Sequence, residues 1–373
     1  FEEAVAIAHS LGYPVLVRPS YVLGGRAMEI VYDDDMLKRY IEEAVDASPE
    51  KPILVDKFLE GAIEVDVDAI SDGTRTIIGG VMEHIEECGV HSGDSTCTLP
   101  PYSLGDRALA EIRESTKRLA SALDVRGLMN VQYAVKDDVV YLIEVNPRAS
   151  RTVPFVSKAT GVPLARIAAR VMAGETLDEL DAPDEIIPPY FSVKEPVFPF
   201  NRFPGTDIVL GPEMRSTGEV MGIDADLGLA FAKAKLAAFL SLPKEGSIFV
   251  SVKDADKRGV IQIARRLAAL GYEIVSTAGT QRLLARSGVD ARMVYKIADG
   301  ARPNVLDIVK NREVSLIINT PSGRGARTDE GQIRGAAVVR NIPCITTMSG
   351  AHTLVQALEA WRSESFEVRS VQE

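Results

Sequence analysis

Residues 127–147, GLMNVQYAVKDDVVYLIEVNP, decide the fold of the first part of the chain. Two apolar runs flank a central Asp-Asp pair, which is typical of a tight turn in a β-hairpin. In that hairpin Gln132 and Glu144 lie on neighbouring strands, and Glu144 and Asn146 share one face because they are two residues apart. Oxygen donors on one face suit Mg²⁺, which leaves positions for water and phosphate. A solvated strand end with surface ion pairs is the alternative, and spacing alone leaves it open.

Polar residues continue behind the hairpin in the stretch 147–155, PRASRTVPF. Arg148 and Arg151 follow the predicted metal ligands closely, and guanidinium groups bind phosphate through paired hydrogen bonds. An acid, an amide and arginines at the end of an apolar strand therefore predict a site that binds a metal ion and an anion together.

Two upstream segments carry further candidates, each with a plainer alternative. Residues 17–28, VRPSYVLGGRAM, place Arg18 at a strand end and a Gly-Gly pair in a loop that lets backbone approach a phosphate; an ordinary hairpin turn is the alternative. Residues 55–66, VDKFLEGAIEVD, offer an apolar slot and an acid for a nucleoside, or simply a core strand. The candidates in this second segment are Lys57, Phe58, Leu59 and Glu64.

Residues 83–101, EHIEECGVHSGDSTCTLPP, form a polar loop that either surrounds a ligand or is a solvated loop with one structural histidine. Its candidates are His84, Glu86, His91, Ser92 and Asp94. No cysteine is suitably placed and the histidines are not spaced as a helical pair, so zinc is not expected.

The local pattern around these segments predicts a mixed α/β region. We expect helices at 2–11, 35–47, 105–123 and 164–173, and strands at 13–20, 52–59 and within 63–86, with a hairpin at 21–33. Within 63–86 the acids Glu64, Asp66 and Asp68 alternate with apolar residues, which predicts a sheet with one solvent-facing side.

After residues 242–246, LPKEG, the pattern becomes a strict alternation of strands and helices. The strands SIFVSV, YEIVST, SLIINT and PCITT are followed by helices predicted at 256–270, 281–287, 329–340 and 351–362. This alternation predicts a doubly wound parallel sheet, in which ligands bind beyond the carboxyl ends of the strands.

Composition narrows the class of protein. The net charge of −11 disfavours a nucleic-acid partner, and no apolar run is long enough for a membrane span. Three scattered cysteines predict no disulfide framework and suit a reducing cytoplasm. The chain begins at Phe1, within a predicted helix, so we expect it to be a piece of a longer polypeptide.

Together these segments resemble the carboxy-terminal half of carbamoyl phosphate synthetase large subunits. The resemblance rests on RPSYVLGGRAMEIVYD, MEHIEECGVHSGDSTCTLPPY, RGLMNVQYAVKDDVVYLIEVNPRASRTVPFVSKATGVPLARIAARVMAG and LGPEMRSTGEVMG. It implies an α/β chain with an ATP-grasp domain at 1–186, its tail and connection at 187–244, and a methylglyoxal-synthase-like, Rossmann-like allosteric domain at 245–373.

The resemblance also implies a nucleotide site with ATP and two Mg²⁺ or Mn²⁺ ions. Arg18 and Arg148 match phosphate-binding arginines, and Gln132, Glu144 and Asn146 match the metal ligands. The remaining nucleotide contacts match Lys57, Leu59, Glu64 (the ribose acid), Gly89, Val90, His91 and Ser92. His84 and Glu86 match a K⁺ site. Glu86, Asp94 and Glu195 match an ornithine patch found in some members.

In the last domain the resemblance implies a pocket for a nucleotide monophosphate such as UMP or IMP. Its residues match Lys257, Thr277, Thr280, Lys296, Asn319, Ser322, Arg324 and Asp329. Pro321 departs from the threonine of some members, and the acid-rich loop of true methylglyoxal synthases is missing, so lyase activity is not expected.

The implied function is ATP-dependent phosphorylation of carbamate to carbamoyl phosphate for pyrimidine and arginine synthesis. Implied partners are the rest of the large subunit and a glutaminase small subunit, in a cytoplasmic and oligomeric enzyme. Two alternatives stay open: another ATP-grasp ligase, such as a biotin carboxylase or purine ligase, and a non-catalytic nucleotide-binding and regulatory module.

Overall fold

The architecture comes from a computed structural model, which describes residues 1–19, 28–47, 52–203, 208–238, 242–320, 328–363, 367–368 and 370. The described strands form three sheets, of three, seven and five strands. No helix in these described parts is long and apolar enough to cross a membrane. The cysteines at 88, 97 and 344 are free thiols.

The first sheet is small and antiparallel, in the order β2-β1-β3. Its elements are α1 (Glu2–Leu11), β1 (Val15–Pro19), β2 (Glu29–Val31), α2 (Asp34–Ala47) and β3 (Ile53–Lys57). As predicted, α1 ends at Gly12, whose φ of 74° suits a residue without a Cβ. The glycine tip of the predicted hairpin lies outside the described residues.

The second sheet carries most of the candidate residues and has the antiparallel order β10-β9-β6-β5-β4-β7-β8. Its strands are β4 (Ile63–Asp72), β5 (Thr76–Glu87), β6 (Cys97–Leu99), β7 (Arg126–Lys136), β8 (Val139–Asn146), β9 (Phe191–Val197) and β10 (Gly218–Asp224). Its helices are α3 (Asp106–Ala122), α4 (Val153–Thr160), α5 (Leu164–Met172) and α6 (Leu227–Ala237). Helix α3 covers one face, whereas α4 and α5 cover part of the other.

The hairpin of β7 and β8 has the predicted turn and register. Asp137 and Asp138 both adopt positive φ, of 51° and 59°, as a two-residue hairpin turn requires. Helix α4, by contrast, was not predicted. This short helix begins within the polar stretch after the hairpin, where apolar residues do not recur with the helical period of 3.6.

The prediction that β4 has a solvent-facing side is wrong. Glu64, Asp66 and Asp68 are 6%, 1% and 1% exposed. The alternation is real, since the apolar residues of β4 face α3, but the acids face partners rather than water. Each acid accepts a hydrogen bond from another strand or loop, so the side that was predicted to face solvent is a buried polar layer.

The third sheet is parallel, in the order β13-β12-β11-β14-β15, as the doubly wound prediction requires. Its strands are β11 (Ser247–Ser251), β12 (Glu273–Thr277), β13 (Arg292–Val294), β14 (Leu316–Asn319) and β15 (Cys344–Ile345). Its helices are α7 (Lys257–Ala269), α8 (Ala278–Arg286), α9 (Val305–Lys310), α10 (Asp329–Arg340) and α11 (Met348–Ser363). Strand β13 and helix α9 were not predicted, because each is too short to show a period.

Segment 187–244 extends the second sheet. Strand β9 pairs with β6, and β10 pairs with β9. Helix α6 then packs on β10 and also against α11 of the third sheet's layer. The domain boundary that we propose near residue 245 therefore comes just after α6, a helix that contacts both the second sheet and helix α11 beside the third sheet.

Candidate functional site

The predicted metal ligands lie in rows that run across three neighbouring strands. Gln132 on β7 is opposite Glu144 on β8, and on its other side it is opposite Asp66 on β4. Asn146 Nδ2 donates to Glu144 Oε1 at 2.8 Å, so both side chains share a face as expected. The strand pairing thus brings together the oxygen donors that the sequence suggested.

These donors fit a divalent cation that also binds phosphate. Glu144 is exposed, and Gln132 and Asn146 are partly buried. Among the described residues, no group of three or more His, Cys, Asp or Glu side chains is placed to hold a metal ion. A site with one carboxylate and two amides has room for nucleotide oxygens and water, which is how Mg²⁺ is commonly held.

The candidate nucleoside contacts gather where β3 leads into β4. Gly89 N donates to Glu64 Oε2 at 3.0 Å, and a Cβ on Gly89 would lie 3.9 Å from the ring of Phe58. Burial raises the pKa of Glu64. Lys57 Nζ donates to the carbonyl of Gly12 at 2.6 Å, so its ammonium is engaged with the end of α1.

His84 lies on β5 beneath this cluster. Its Nε2 is 3.0 Å from Asp66 Oδ2, and its Nδ1 is 3.8 Å from Glu64 Oε1. Burial alone would lower the pKa of His84, but Cys97, Asp66 and Glu64 hold it well above its usual range. Asp66 Oδ1 is buried without a hydrogen-bond partner among the described residues. The cluster therefore retains unused polar capacity next to Gln132.

The loop after β5 connects the nucleoside end to the arginines. His91 Nδ1 accepts a hydrogen bond from Gly93 N at 3.0 Å, and burial lowers the pKa of His91. Both facts favour a neutral ring with its proton on Nε2. A Cβ on Gly93 would lie 3.5 Å from Arg151 Nη1, so this loop meets the loop after β8.

The segment 210–222 packs against the same loop and hydrogen-bonds to it. Asp94 is fully buried, and its carboxylate accepts backbone hydrogen bonds from Arg215 and Ser216 at 2.7 and 2.9 Å. The carbonyl of Ser92 accepts one from buried Lys194 at 2.8 Å. Asp94 therefore holds the loop, and its carboxylate is engaged in doing so.

The two candidate phosphate-binding arginines lie on different parts of the fold. Arg148 is exposed on the loop after β8. Arg18 is on β1 of the first sheet, where its Nε is 3.3 Å from Asp56 Oδ2. The contacts of the described residues do not bring Arg18 to the metal ligands.

Glu86 and Glu195 meet around a lysine that was not predicted. Lys235 Nζ, on α6, is 2.6 Å from Glu195 Oε1. Thr96 Oγ1 donates to Glu195 Oε2 at 2.8 Å and lies 3.4 Å from Glu86 Oε1. Burial raises the pKa of Glu86 to about 7, against the opposing charge of Lys235. Glu86 and Glu195, two of the three acids that the resemblance assigns to ornithine, thus already have an ammonium group beside them.

The candidate effector residues gather at the carboxyl edge of the third sheet. Thr277 ends β12 and Thr280 lies in the first turn of α8, and a Cβ on Gly279 would lie 3.7 Å from Lys257 Nζ. A lysine above a helix N-terminus is an arrangement that binds phosphate. Asn319 ends β14 beside β11, and its Nδ2 donates to the carbonyl of Ser251 at 3.0 Å.

Two more candidates border this edge. Lys257, with a smaller contribution from Lys296, holds the pKa of Asp254 below its usual range. Asp329 Oδ2 accepts a hydrogen bond from Ala298 N at 2.9 Å, which ties α10 to the turn after Lys296. Ser322, Arg324 and Pro321 lie outside the described residues.

Three buried side chains escaped the prediction. Asp68 bonds to the loop after β8, Lys235 pairs with Glu195, and fully buried Arg334 donates to Asn319 Oδ1 at 3.2 Å. For Asp68 the available signal was the alternation of acids and apolar residues in β4, and it predicted exposure to solvent. The lysine and the arginine lie on helices where a charged residue ordinarily faces water.

Two regions of the chain match known protein-family models. Residues 1–180 match the model "Carbamoyl-phosphate synthase L chain, ATP binding domain", and residues 259–346 match "MGS-like domain". The carbamoyl phosphate synthase large chain of Archaeoglobus fulgidus is 57% identical over 100% of this chain and 35% of its own length. That of a Nostoc species is 54% identical over 100% of this chain and 34% of its own.

This chain belongs to the carbamoyl phosphate synthase large-chain family. It spans about a third of the length of these relatives. A solved biotin carboxylase domain of a single-chain bacterial carboxylase is 19% identical, with a TM-score of 0.48, over 64% of this chain and 56% of that chain. At that level the likeness says nothing about function.

Within the large-chain family, the matched regions divide as the sheets do. The ATP-binding match covers the first sheet and most of the second, and the MGS-like match lies on the third. The polar rows of β4, β7 and β8 thus lie in the part of the chain that matches the ATP-binding domain.

Proposed function

We propose that this chain performs the carbamate-phosphorylating step of carbamoyl phosphate synthase. It would transfer the γ-phosphoryl group of ATP to carbamate, which gives carbamoyl phosphate for pyrimidine and arginine synthesis. The observation that carries the proposal is the row of Gln132, Glu144 and Asn146, placed beside the arginine-bearing loop in a family whose members bear this name. Both relatives named above are carbamoyl phosphate synthase large chains, which favours this proposal over a biotin carboxylase or purine ligase.

In the proposed step a carbamate oxygen attacks the γ-phosphorus while the bond to the β–γ bridging oxygen breaks, and ADP leaves. Mg²⁺ or Mn²⁺, held by Gln132, Glu144 and Asn146, would neutralise charge on the phosphate oxygens. Arg148 and Arg18 would bind phosphoryl oxygens, and Glu64 would hold the ribose. Because Arg18 lies on the first sheet, we expect that sheet to close over the nucleotide before transfer.

We also propose a regulatory site in the MGS-like domain. Lys257, Thr277, Thr280 and Asn319 would bind the phosphate of UMP or IMP at the N-terminus of α8. Lys296, Asp329 and the undescribed Ser322 and Arg324 would complete the pocket. K⁺ near His84 and Glu86, and a glutaminase subunit with the rest of the large chain as partners in an oligomer, are proposed on the resemblance alone.

For the acid pair we propose a reduced role for ornithine. Lys235 already neutralises Glu195 at 2.6 Å, and Asp94 is engaged by backbone N–H groups. An incoming ammonium group would have to displace Lys235 from a nearly fully buried site, which is unfavourable.

The test is a titration of the chain with Mg²⁺–ADP, UMP and IMP. We expect Glu144→Ala to weaken Mg²⁺–ADP binding by more than about tenfold, because a metal ligand is lost. Lys257→Ala should weaken binding of the monophosphate alone. Exposed residues supply the matched controls, Glu114→Ala on α3 and Lys310→Ala on α9, and both should bind like the wild type.

The outcomes separate the proposals. Loss of Mg²⁺–ADP binding in Glu144→Ala, with UMP or IMP binding intact, supports two separate sites and identifies the effector. Unchanged Mg²⁺–ADP binding in that variant would rule out the proposed metal row. Binding without ATP formation from ADP and carbamoyl phosphate in the full-length polypeptide would favour a non-catalytic module.

A further inference from the structure

Asp68 on β4 is a buried acid that the proposed reaction does not use directly. Its Oδ1 accepts hydrogen bonds from Asn130 Nδ2 at 3.0 Å and from Ser150 Oγ at 2.7 Å. Its Oδ2 accepts one from Thr152 Oγ1 at 2.6 Å. Ser150 and Thr152 are more than eighty residues away along the chain. One carboxylate therefore fastens strand β7 and the loop after β8 to the middle of the sheet.

The fastened loop is the one that presents the candidate phosphate contact. Arg148 lies between Asn146, whose carbonyl accepts its N–H at 2.8 Å, and Ser150. Its side chain is exposed, and Nη1 donates a hydrogen bond to the neighbouring carbonyl of Ala149 at 3.2 Å. A side chain held so lightly depends on its backbone for position. That backbone is anchored on one side by β8 and on the other by Asp68.

We propose that Asp68 is a positioning residue for the loop Asn146–Thr152, which it holds where Arg148 and Asn146 can contact the nucleotide phosphates and their metal ion. The inference rests on the proposed function. Asp68 does not itself contact the nucleotide. It acts through Ser150 and Thr152, as residues behind metal ligands commonly do.

The distances around Asp68 indicate how the anchor works. Ser150 Oγ and Thr152 Oγ1 are also 2.7 Å apart, so the two hydroxyls and the carboxylate of Asp68 form a triangle of short oxygen contacts. Burial raises the pKa of Asp68 to about 6, and nearby Asp66 adds to the rise, whereas the hydrogen bonds from Thr152, Ser150 and Asn130 oppose it. At neutral pH the carboxyl is therefore mostly ionised, and each of its oxygens accepts a hydrogen bond from one hydroxyl.

An asparagine at position 68 still offers an acceptor oxygen to Ser150, and its amide N–H can donate to Thr152, whose hydroxyl can then donate to Ser150 at 2.7 Å. Asp68→Asn should therefore keep the loop in place, whereas Asp68→Leu, of similar size, should release it. Thr152→Val removes one contact of the triangle with little change in shape. Thr116→Val is its matched control, because Thr116 is equally buried and bonds Tyr133 at 2.8 Å, on helix α3 away from the loop.

The experiment measures ATP formation from ADP and carbamoyl phosphate by the full-length polypeptide, with melting temperatures recorded in parallel. We expect Asp68→Leu and Thr152→Val to raise the KM for Mg²⁺–ADP, or lower kcat, by about tenfold. Asp68→Asn should stay within about threefold of the wild type, as a substitute that keeps the hydrogen bonds. Thr116→Val should melt about as early as Thr152→Val, with kinetic constants of the wild type.

Equal kinetic constants for Thr152→Val and Thr116→Val would overturn the positioning role, even if Asp68→Leu fails to fold. A similar loss in Asp68→Asn and Asp68→Leu would overturn the account of the triangle. Absence of ATP formation by the wild type would overturn the proposed function and, with it, this inference. The wild-type rate thus separates failure of the function from failure of the inference.

Discussion

At the scale of single residues, Lys235 has the clearest consequence. Its ammonium group pairs with Glu195. The same positive charge partly offsets the rise in the pKa of Glu86 that burial causes. The side chains of Lys235 and Glu195 are only 9% and 4% exposed, so water does little to screen them. Removing one partner of such a pair leaves a buried charge without compensation.

We predict that Lys235→Met lowers the free energy of unfolding by about 3 kcal/mol at about pH 7, because Glu195 loses its cation. The loss should be smaller at about pH 5, because Glu86, whose pKa burial raises to about 7, is protonated there and the buried site carries one negative charge fewer. Urea denaturation at both values measures this. Added ornithine should stabilise the variant and leave the wild type unchanged.

The control for Lys235→Met is Arg170→Met, which breaks the exposed ion pair with Glu175. That change should lower stability by less than about 1 kcal/mol, as is usual for surface pairs. Equal losses in the two variants, or stabilisation of the wild type by ornithine, would contradict the role given to Lys235.

At the scale of elements, strand β10 and helix α6 pack unusually closely at Gly222. A Cβ on Gly222 would lie 2.1 Å from the carbonyl oxygen of Ala230 and 2.5 Å from the N of Ala234. These are backbone atoms of α6, which cannot rotate away as a side chain would. The absence of a side chain at Gly222 thus sets the distance between β10 and the helix that carries Lys235.

We predict that Gly222→Ala destabilises the protein by about 3 kcal/mol, because the added methyl group forces α6 away from the strand. Gly218→Ala, at the start of the same strand, is the matched control: its Cβ would meet nothing within 4 Å. Thermal denaturation of both variants checks this. A Gly222→Ala protein as stable as Gly218→Ala would show that α6 is free to shift.

Element prediction from sequence was best where the pattern was long. The hairpin of β7 and β8 and the helices α1, α3, α7 and α11 follow the predicted positions to within a few residues. The elements that were missed or misplaced include several short ones: α4, β13 and α9 were not predicted, and α8 begins at Ala278 rather than Gln281. Short elements depend on packing more than on their own period.

At the scale of the whole molecule, α11, which packs beside the third sheet, touches strand β5 of the second sheet. Ser349 Oγ donates to the carbonyl of Ile85 on β5, next to His84 and Glu86. Near Gly228 the helices α6 and α11 approach so closely that a Cβ would lie 2.7 Å from the carbonyl oxygen of Gln356. If an effector bound at the proposed regulatory site moves α11, these contacts pass the movement directly to β5, which lies below the proposed nucleotide site.

We predict that Ser349→Ala reduces the factor by which UMP or IMP changes the affinity for Mg²⁺–ADP, with each ligand still bound on its own. Coupling between sites is a free energy carried by contacts that differ between states, and it is commonly about 1–3 kcal/mol. Titration of Mg²⁺–ADP with and without the monophosphate measures it.

The control for Ser349→Ala is Ser287→Ala. Its hydroxyl bonds to Leu283 of its own helix, at 3.0 Å, and not to the ATP-binding sheet. This variant should keep the wild-type coupling. A Ser349→Ala protein with undiminished coupling would mean that communication runs elsewhere, for example through the contact of α6 with α11.

Features that depend on local backbone geometry could be predicted from the sequence alone. A period of two placed Glu144 and Asn146 on one face, the Asp-Asp pair marked the turn that sets Gln132 opposite Glu144, and alternating strands and helices specified a parallel sheet. Which polar residues are buried, and which partners they contact, could be learned from the tertiary structure alone. Asp68 with Thr152 and Glu195 with Lys235 are joined across 84 and 40 residues. Such pairs depend on how the sheets and helices pack, and the local period that places a side chain on a face does not reveal what covers that face.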